Sequence, residues 1–149
     1  MQKVTIPFKN NKTLFTTSIP VLVSHLNYGN HLGYDSILTL LQEARMRWLK
    51  ESNMGEMTLD GNIGYLVTDV ALKYKSEAFH GDILDIEFYL EDFNNRTFTI
   101  LYKISNQTTG AIVALASTGH VFYDFSLKKI ARAPECIAMF NRSRDRVAG

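Results

Sequence analysis

The stretch HLNYGNHLGYDSILTLLQEARMRW, residues 25–48, joins a polar segment rich in asparagine, histidine and glycine to an apolar pattern with helical spacing. From Asp35 to about Glu51, apolar side chains recur every three or four residues, at Ile37, Leu40, Leu41, Ala44 and Trp48. This spacing predicts one long helix with a single buried face. Residues 25–35 precede it and contain turn-forming residues, so we expect a turn and a helix cap there.

Beyond residue 62, apolar and polar residues alternate, which predicts strands with one buried face. Together with a strand that precedes residue 25, the predicted strands run from Thr16 to Val23, Leu66 to Lys75, Leu84 to Glu91, Phe98 to Ile104 and Ala111 to Phe125. Short polar segments at residues 94–96 and 106–110 are typical of hairpin turns. Sequential strands are therefore expected to pair antiparallel.

The last predicted strand has a row of mostly small side chains, namely Ile112, Ala114, Ala116, Thr118 and His120. Such a row suits a sheet face against which a helix packs closely. We therefore predict an α+β fold, in which a curved antiparallel sheet wraps around one long central helix within a single domain spanning residues 1–149. A short helix from Pro134 to Phe140 and a frayed tail from Arg142 to Gly149 are predicted to follow the sheet.

Composition and charge argue against several classes of function. The 149 residues carry a formal net charge of +1 with acidic and basic residues interspersed, so we expect no nucleic-acid partner. No window approaches the ~20 apolar residues of a membrane span, and no secretion signal is recognised, so a cytoplasmic protein is expected. One cysteine, Cys136, and four scattered histidines give no support for a metal site.

Residues 27–31, with the sequence NYGNH, and residues 42–45, with the sequence QEAR, resemble two motifs of one enzyme family at its usual spacing. In hotdog-fold acyl-CoA thioesterases of the 4-hydroxybenzoyl-CoA thioesterase type, the pattern Asp-x-x-Gly-His/Val precedes a helix that carries Glu-x-Ala-Arg. Weaker matches are Gly81-Asp82, residues 116–124 and Lys129-Ile130-Ala131. The resemblance implies a hotdog fold, hydrolysis of a fatty or aromatic acyl-CoA to free acid and CoA, and no cofactor beyond the CoA of the substrate.

One position departs from the pattern of this family. Many relatives of this type have two aspartates before the glycine, and the second is the usual catalytic carboxylate, whereas this chain has His25 and Asn27. An amide cannot take a proton from water, although it can donate a hydrogen bond to a thioester carbonyl or orient a water molecule. Another group must therefore serve as the base.

Asp35 is the first candidate for this base, because it is the only carboxylate in residues 25–35. At a helix start it is equally interpreted as a cap or a partner of the helix dipole. Asn27 and His31 are candidates to orient the thioester, with turn formation and a structural hydrogen bond as their alternatives. Glu43 is the second candidate base, although a helix-surface or interface position is also expected for it.

The remaining candidates would bind substrate. Gly29 and Gly33 would allow close approach of a ligand, and Tyr28 lies between them and Asn27 in the same motif. Backbone N–H groups near residues 31–33 are expected to form an oxyanion hole, since the first turn of a helix has unpaired donors. Lys75 is a candidate for the phosphates of CoA, with a merely solvated lysine as the alternative.

Two other functions stay open at this point. Asn27, His31 and Asp35 loosely resemble the arrangement in hotdog hydratases and dehydratases, which act on enoyl or 3-hydroxyacyl thioesters. Loss of the usual aspartate also fits a module that binds acyl thioesters without turnover. In each case the edge strands of a single sheet need cover, so a homodimer or homotetramer is expected.

Overall fold

The computed structural model describes residues 4–9, 12–52, 54, 59 and 61–139, in which one antiparallel sheet packs against one long helix. In chain order the elements are β1 (Phe15–Pro20), a 3-10 turn (Val23–His25), α1 (Tyr34–Glu51), β2 (Ile63–Tyr74), β3 (Ile83–Glu91), β4 (Thr97–Asn106), β5 (Ile112–Asp124) and β6 (Lys129–Ile130). Residues 135–139 are also helical. This architecture confirms the predicted α+β hotdog fold.

The strand order is β1-β3-β4-β5-β2, with antiparallel pairing throughout, and β6 pairs with the end of β5. In the hairpin between β3 and β4, the Asn94 side chain accepts hydrogen bonds from the N–H groups of Arg96 and Thr97, at 2.8 and 2.9 Å. Asn106 closes the turn before β5 in the same way, and Gly110 follows with a φ of 75°. Both predicted turns are confirmed.

The apolar face of α1 packs on the sheet as its spacing predicted. Its inward side chains are at most 2% exposed, and they are Ile37, Leu40, Leu41, Ala44 and Trp48. The opposing row of β4 is at most 1% exposed and consists of Phe98, Ile100, Tyr102 and Ile104. Trp48, the single tryptophan, lies with its ring 6.2 Å from that of Phe88. Truncating a buried aromatic of this kind costs ~3–5 kcal/mol, so this contact is a large part of helix docking.

The small-residue row of β5 is confirmed over most of its length. Ala114, Ala116, Thr118 and His120 are at most 2% exposed, whereas Ile112, the first residue of the strand, is 41% exposed. β1 ends at Pro20 rather than at the predicted Val23. The correction has a local cause, because the Leu22 N–H donates to His25 Nδ1 at 2.9 Å and turns the chain.

β2 lies at one edge of the sheet, and its first half departs from the predicted alternation. Residues 66–70 are exposed on both faces, and among them Leu66, Val67 and Val70 are 40, 42 and 47% exposed. A bulge between Val67 and Asp69 shifts the register against β5. The prediction of a half-buried strand is therefore wrong for this part of β2.

Some predicted features lie outside the described residues, namely Phe140 at the end of the short helix and the tail of residues 142–149. Within the part of the chain that the structure describes, no helix has both the length and the apolar character to cross a membrane. No group of three or more histidine, cysteine, aspartate or glutamate side chains is placed to hold a metal ion among these same residues.

Candidate active site

Residues 25–33 form a closed polar loop that leads into α1. The Asn27 N–H donates to the His31 carbonyl at 2.9 Å, and the Asn30 N–H donates to the Asn27 carbonyl at 3.0 Å. Asn30 has a φ of 63°, a left-handed conformation that asparagine adopts more readily than most residues. The backbone thus holds the side chains of this loop around two glycines.

Gly29 lies beside the two polar side chains that were predicted to orient a substrate. The Gly29 N–H donates to Asn27 Oδ1 at 2.9 Å. A Cβ atom at Gly29 would lie 3.3 Å from that oxygen and 3.2 Å from His31 Nε2. Because glycine has no side chain, the Asn27 and His31 side chains can lie close to the backbone of residue 29. The Asn27 Oδ1 accepts the Gly29 N–H, so the Asn27 NH₂ is the part of this side chain that can donate to a substrate carbonyl.

Gly33 lies in the same way between Asn27 and Asp35. A Cβ atom at Gly33 would be 2.5 Å from Asp35 Oδ1 and 3.5 Å from Asn27 Cβ. Gly33 is the N-cap residue of α1, and no side chain makes a capping hydrogen bond there. Gly33 has no side chain to cap the helix, and the alternatives in which Asp35 acts as a cap or as a base both stay predictions. The exposed Asp35 carboxylate lies in the first helical turn, in the positive field of the helix dipole.

The predicted position of the oxyanion hole needs a correction. The Leu32 N–H donates to the Ala78 carbonyl at 2.8 Å, and the Gly33 N–H donates to the His25 carbonyl at 3.1 Å. These two amides are therefore already paired with backbone carbonyls. The next amides, those of Tyr34 and Asp35, are the first two of α1 and have no intrahelical acceptor, which makes them the candidate donors for a ligand.

The other predicted site residues lie apart from the cluster of Asn27, His31 and Asp35. Tyr28 is fully exposed, and Lys75 is an exposed residue directly after β2. Glu43 pairs with Arg47 on the surface of α1, with 2.8 Å between its Oε2 and the arginine Nε. Their predicted roles in binding or catalysis stay predictions.

Glu77, in the connection between β2 and β3, is a carboxylate that the sequence did not single out. Its Oε1 lies 3.9 Å from His31 Nε2. The two residues are 46 positions apart, and only the folded chain brings them together. A glutamate following a strand is by itself too common a feature to have indicated this contact.

A buried polar chain connects α1 to the sheet, and it was also missed from the sequence. Arg45 donates to the Tyr102 hydroxyl at 3.1 Å, which lies 2.6 Å from Thr118 Oγ1, and Thr118 Oγ1 lies 2.7 Å from His120 Nε2. Burial, together with the nearby Arg45 charge, lowers the pKa of His120 to about 3. His120 is therefore neutral, and Arg45, the arginine of the QEAR motif, anchors the helix to β4 and β5.

A pocket of about 310 Å³ opens along α1 next to this chain. Three polar residues and four apolar residues line it, and they are Gln42, Arg45 and Tyr65, with Met46, Leu49, Val67 and Phe125. Asp35, Gln42 and Leu49 are spaced by seven residues, so they share one face of α1. At ~1.5 Å per residue, the pocket begins about 10 Å along the helix from Asp35.

Comparison with known proteins gives a consistent result. Residues 21–140 match the family model described as the thioesterase-like superfamily. The long-chain acyl-CoA thioesterase FadM of Escherichia coli (strain K12) is 27% identical over 113 residues, which cover 76% of this chain and 86% of that protein.

Two solved structures share the fold. The 1,4-dihydroxy-2-naphthoyl-CoA thioesterase from Synechocystis superposes with a TM-score of 0.74 at 20% identity, covering 85% of this chain and 93% of the other. A Staphylococcus aureus protein, SAV2348, solved in complex with CoA, gives a TM-score of 0.73 at 14% identity, covering 87% of this chain and 82% of the other. At these identities the likeness concerns the fold.

Proposed function

Because the chain belongs to the thioesterase-like superfamily, we propose that it hydrolyses acyl-CoA thioesters to a free acid and CoA. The observation that carries the proposal is the grouping of Asn27, His31 and Asp35 around Gly29 and Gly33 at the start of α1. Polar donors and a carboxylate therefore meet at the positive end of a helix, where charge developing on a thioester oxygen would be stabilised.

In the proposed mechanism, Asp35 takes a proton from water as the water oxygen attacks the thioester carbon. The carbonyl oxygen accepts hydrogen bonds from the Tyr34 and Asp35 amides and from the Asn27 NH₂ while it carries negative charge. Collapse of this intermediate breaks the carbon–sulfur bond and releases CoA as the leaving group. His31 is placed beside the same space to orient the thioester. Direct attack by the Asp35 carboxylate, with water acting in a second step, is the covalent form of the same mechanism.

The pocket along α1 is proposed to hold the acyl group. It lies on the helix face that carries Asp35, and four of its seven lining residues are apolar. Its volume is at the lower end of the roughly 300–1,000 Å³ usual for small-molecule sites. A pocket with this apolar lining suits either a fatty chain or an aromatic ring. Lys75 is proposed as a contact for the phosphates of CoA.

A homodimer formed across β2 is proposed as the functional unit, with cytoplasmic location. The exposed apolar side chains of residues 66–70 lie on an unpaired sheet edge, which a second copy would cover by extending the sheet. Val67 of this edge also lines the pocket along α1, so a dimer would close that pocket on one side.

The first experiment is a thiol-release assay across acyl-CoA chain lengths and aromatic acyl-CoA esters. Release of free thiol is the expected result. Loss of enoyl absorbance without thiol release would instead identify a hydratase, and saturable binding with neither change would identify a binding module. Either of these two outcomes would overturn the proposed hydrolysis.

The base is tested by Asp35→Asn in the same assay. We expect kcat to fall by ~10²–10⁴ with folding intact, because that is the usual contribution of a general base. Glu51→Gln, which changes a carboxylate at the opposite end of α1, is the matched control and should retain the full rate. Activity within a few-fold of the native rate for Asp35→Asn would exclude Asp35, and a large loss for Glu43→Gln would assign the base to Glu43.

A further inference from the structure

We propose that Glu77 is a positioning residue for His31, and that His31 held in this way delivers a proton to the sulfur that leaves the thioester. The inference rests on the proposed thioesterase function. It adds a residue from a separate part of the chain to the site, and it gives His31 a role distinct from that of Asp35.

The position of Glu77 is fixed by hydrogen bonds of the neighbouring residues. The Leu32 N–H donates to the Ala78 carbonyl at 2.8 Å, and the Tyr74 hydroxyl donates to the Leu32 carbonyl at 2.8 Å. Leu32 follows His31 in the chain and Ala78 follows Glu77, so the backbone pairing sets the two side chains next to each other. The contact between His31 and Glu77 is thus part of how the loop of residues 25–33 is attached to β2.

The ring nitrogens of His31 have different surroundings. Nδ1 lies 3.4 Å from the Leu32 carbonyl, and because a carbonyl oxygen only accepts, Nδ1 is the nitrogen that carries hydrogen in the neutral ring. Nε2 is then the nitrogen that gains and loses a proton. It faces Glu77 at 3.9 Å and lies beside Gly29, where an added Cβ would be 3.2 Å away.

The 3.9 Å between His31 Nε2 and Glu77 Oε1 leaves the proton on Nε2 available for transfer to a substrate. This distance is longer than a direct hydrogen bond, so the carboxylate stabilises a positive ring electrostatically without occupying the proton on Nε2. The side chain of His31 is 31% exposed and that of Glu77 is 61% exposed, so a substrate can reach both. A sulfur atom placed beside Gly29 would approach Nε2 directly.

The proton balance of the reaction follows from these positions. Water loses one proton to Asp35 as its oxygen bonds to the carbonyl carbon, and the carbon–sulfur bond breaks when the intermediate collapses. The sulfur takes a proton from Nε2 and leaves as the thiol of CoA. Asp35 then returns its proton through solvent to Nε2, which restores both groups, while Glu77 remains a carboxylate throughout.

The ionisable groups near His31 belong to two parts of the fold. Glu77 and Tyr74 lie on the side of β2, and Asp35 lies at the start of α1. Burial raises the pKa of Tyr74 above its ordinary value, so this hydroxyl stays neutral in the working range. Within the described residues, Glu77 is therefore the one carboxylate paired with Nε2.

The proposal predicts a specific pattern for Glu77→Gln. We expect kcat to fall about tenfold with little change in KM, because the His31 ring loses the carboxylate that holds it in place. In the His31→Gln background, Glu77→Gln should cause no further loss, since Glu77 acts through His31. Glu51→Gln is again the control. Equal losses in both backgrounds, or an unchanged rate, would overturn the proposal.

A second measurement does not depend on turnover. The ¹⁵Nε2 resonance of His31 should move in Glu77→Gln, while the ring resonances of His25, His80 and His120 and those of the Glu51→Gln protein stay in place. An unmoved His31 resonance would contradict the pairing. If the native protein released no thiol from any ester, the proposed function would fail, whereas this resonance would still report on the pair.

Discussion

His120 is a buried side chain that titrates at much lower pH than a histidine in water. Its pKa falls from 6.5 to about 3 because burial, and then the charge of Arg45, disfavour the protonated ring. The unfolded chain binds a proton below pH 6.5, while the folded protein does not until about pH 3. The stability that neutral His120 contributes is thus present above pH 6.5 and is lost as the pH falls.

This difference predicts the acid sensitivity of the fold. Between about pH 6.5 and 5, above the range in which aspartate and glutamate titrate, the free energy of unfolding should decrease with a slope approaching ~1.4 kcal/mol per pH unit. His120→Gln should lower stability at pH 7 and flatten this slope, as measured by urea unfolding at several pH values. His80→Gln, at an exposed position, should keep the native slope. An equally steep slope in His120→Gln would contradict the prediction.

Whether a candidate site residue could be predicted from the sequence depended on how far apart in the chain its contacts lie. Asn27, His31 and Asp35 could be proposed from the sequence because they are close in the chain and residues 27–31 resemble a family motif, and their catalytic roles stay predictions. Glu77 could not be identified, because its position depends on backbone pairing between segments more than 40 residues apart.

At the scale of elements, the position of the Asp35 carboxylate at the start of α1 depends on the absence of a side chain at Gly33. Its φ of −78° is ordinary for any residue, so alanine is compatible with the backbone. The added Cβ would meet Asp35 Oδ1 at 2.5 Å, and the carboxylate would have to rotate away. A displacement of about 1 Å near the chemistry can cost ~10²-fold in rate.

Gly33→Ala is therefore expected to lower kcat by roughly ten- to a hundredfold while the thermal midpoint of unfolding stays close to the native value. Thiol release and a melting curve measure the two effects. Ser24→Ala, in the exposed 3-10 turn before the loop, is the control and should change neither. A Gly33→Ala protein with the native rate would show that the observed Asp35 position is not the productive one.

The elements themselves were largely predictable, since helix and strand periods are local properties of the sequence. α1 begins one residue before its predicted start and ends at the predicted Glu51. The first half of β2 was not predictable, because the bulge at Val67 and Asp69 and the edge position both arise from pairing with β5. The proposed oxyanion donors also differ from the predicted ones, since the Leu32 N–H bonds to the carbonyl of Ala78, in a separate part of the chain, and the Gly33 N–H bonds to that of His25.

At the scale of the whole molecule, the proposed dimer can be tested by substitutions on the exposed edge of β2. Introducing lysine at both Leu66 and Val70 places like charges opposite each other across a two-fold edge, which should convert the dimer to monomer. Analytical ultracentrifugation measures the change in mass. Ile130→Lys, at an apolar position 54% exposed on β6, is the control and should leave the mass unchanged. An intact dimer in the double variant would place the interface elsewhere.

The burial of Trp48 against Phe88 has a practical consequence for optical measurements. The chain has one tryptophan, and it lies fully inside the seam between α1 and the sheet, well along the helix from Asp35. Its fluorescence therefore reports on a single event, the separation of the helix from the sheet. The indole is remote from the loop of residues 25–33, so substitutions at Asp35, Gly33 or Glu77 are not expected to change its emission directly. An emission spectrum that matches the native one therefore indicates an intact core, and the rate of such a variant can then be interpreted.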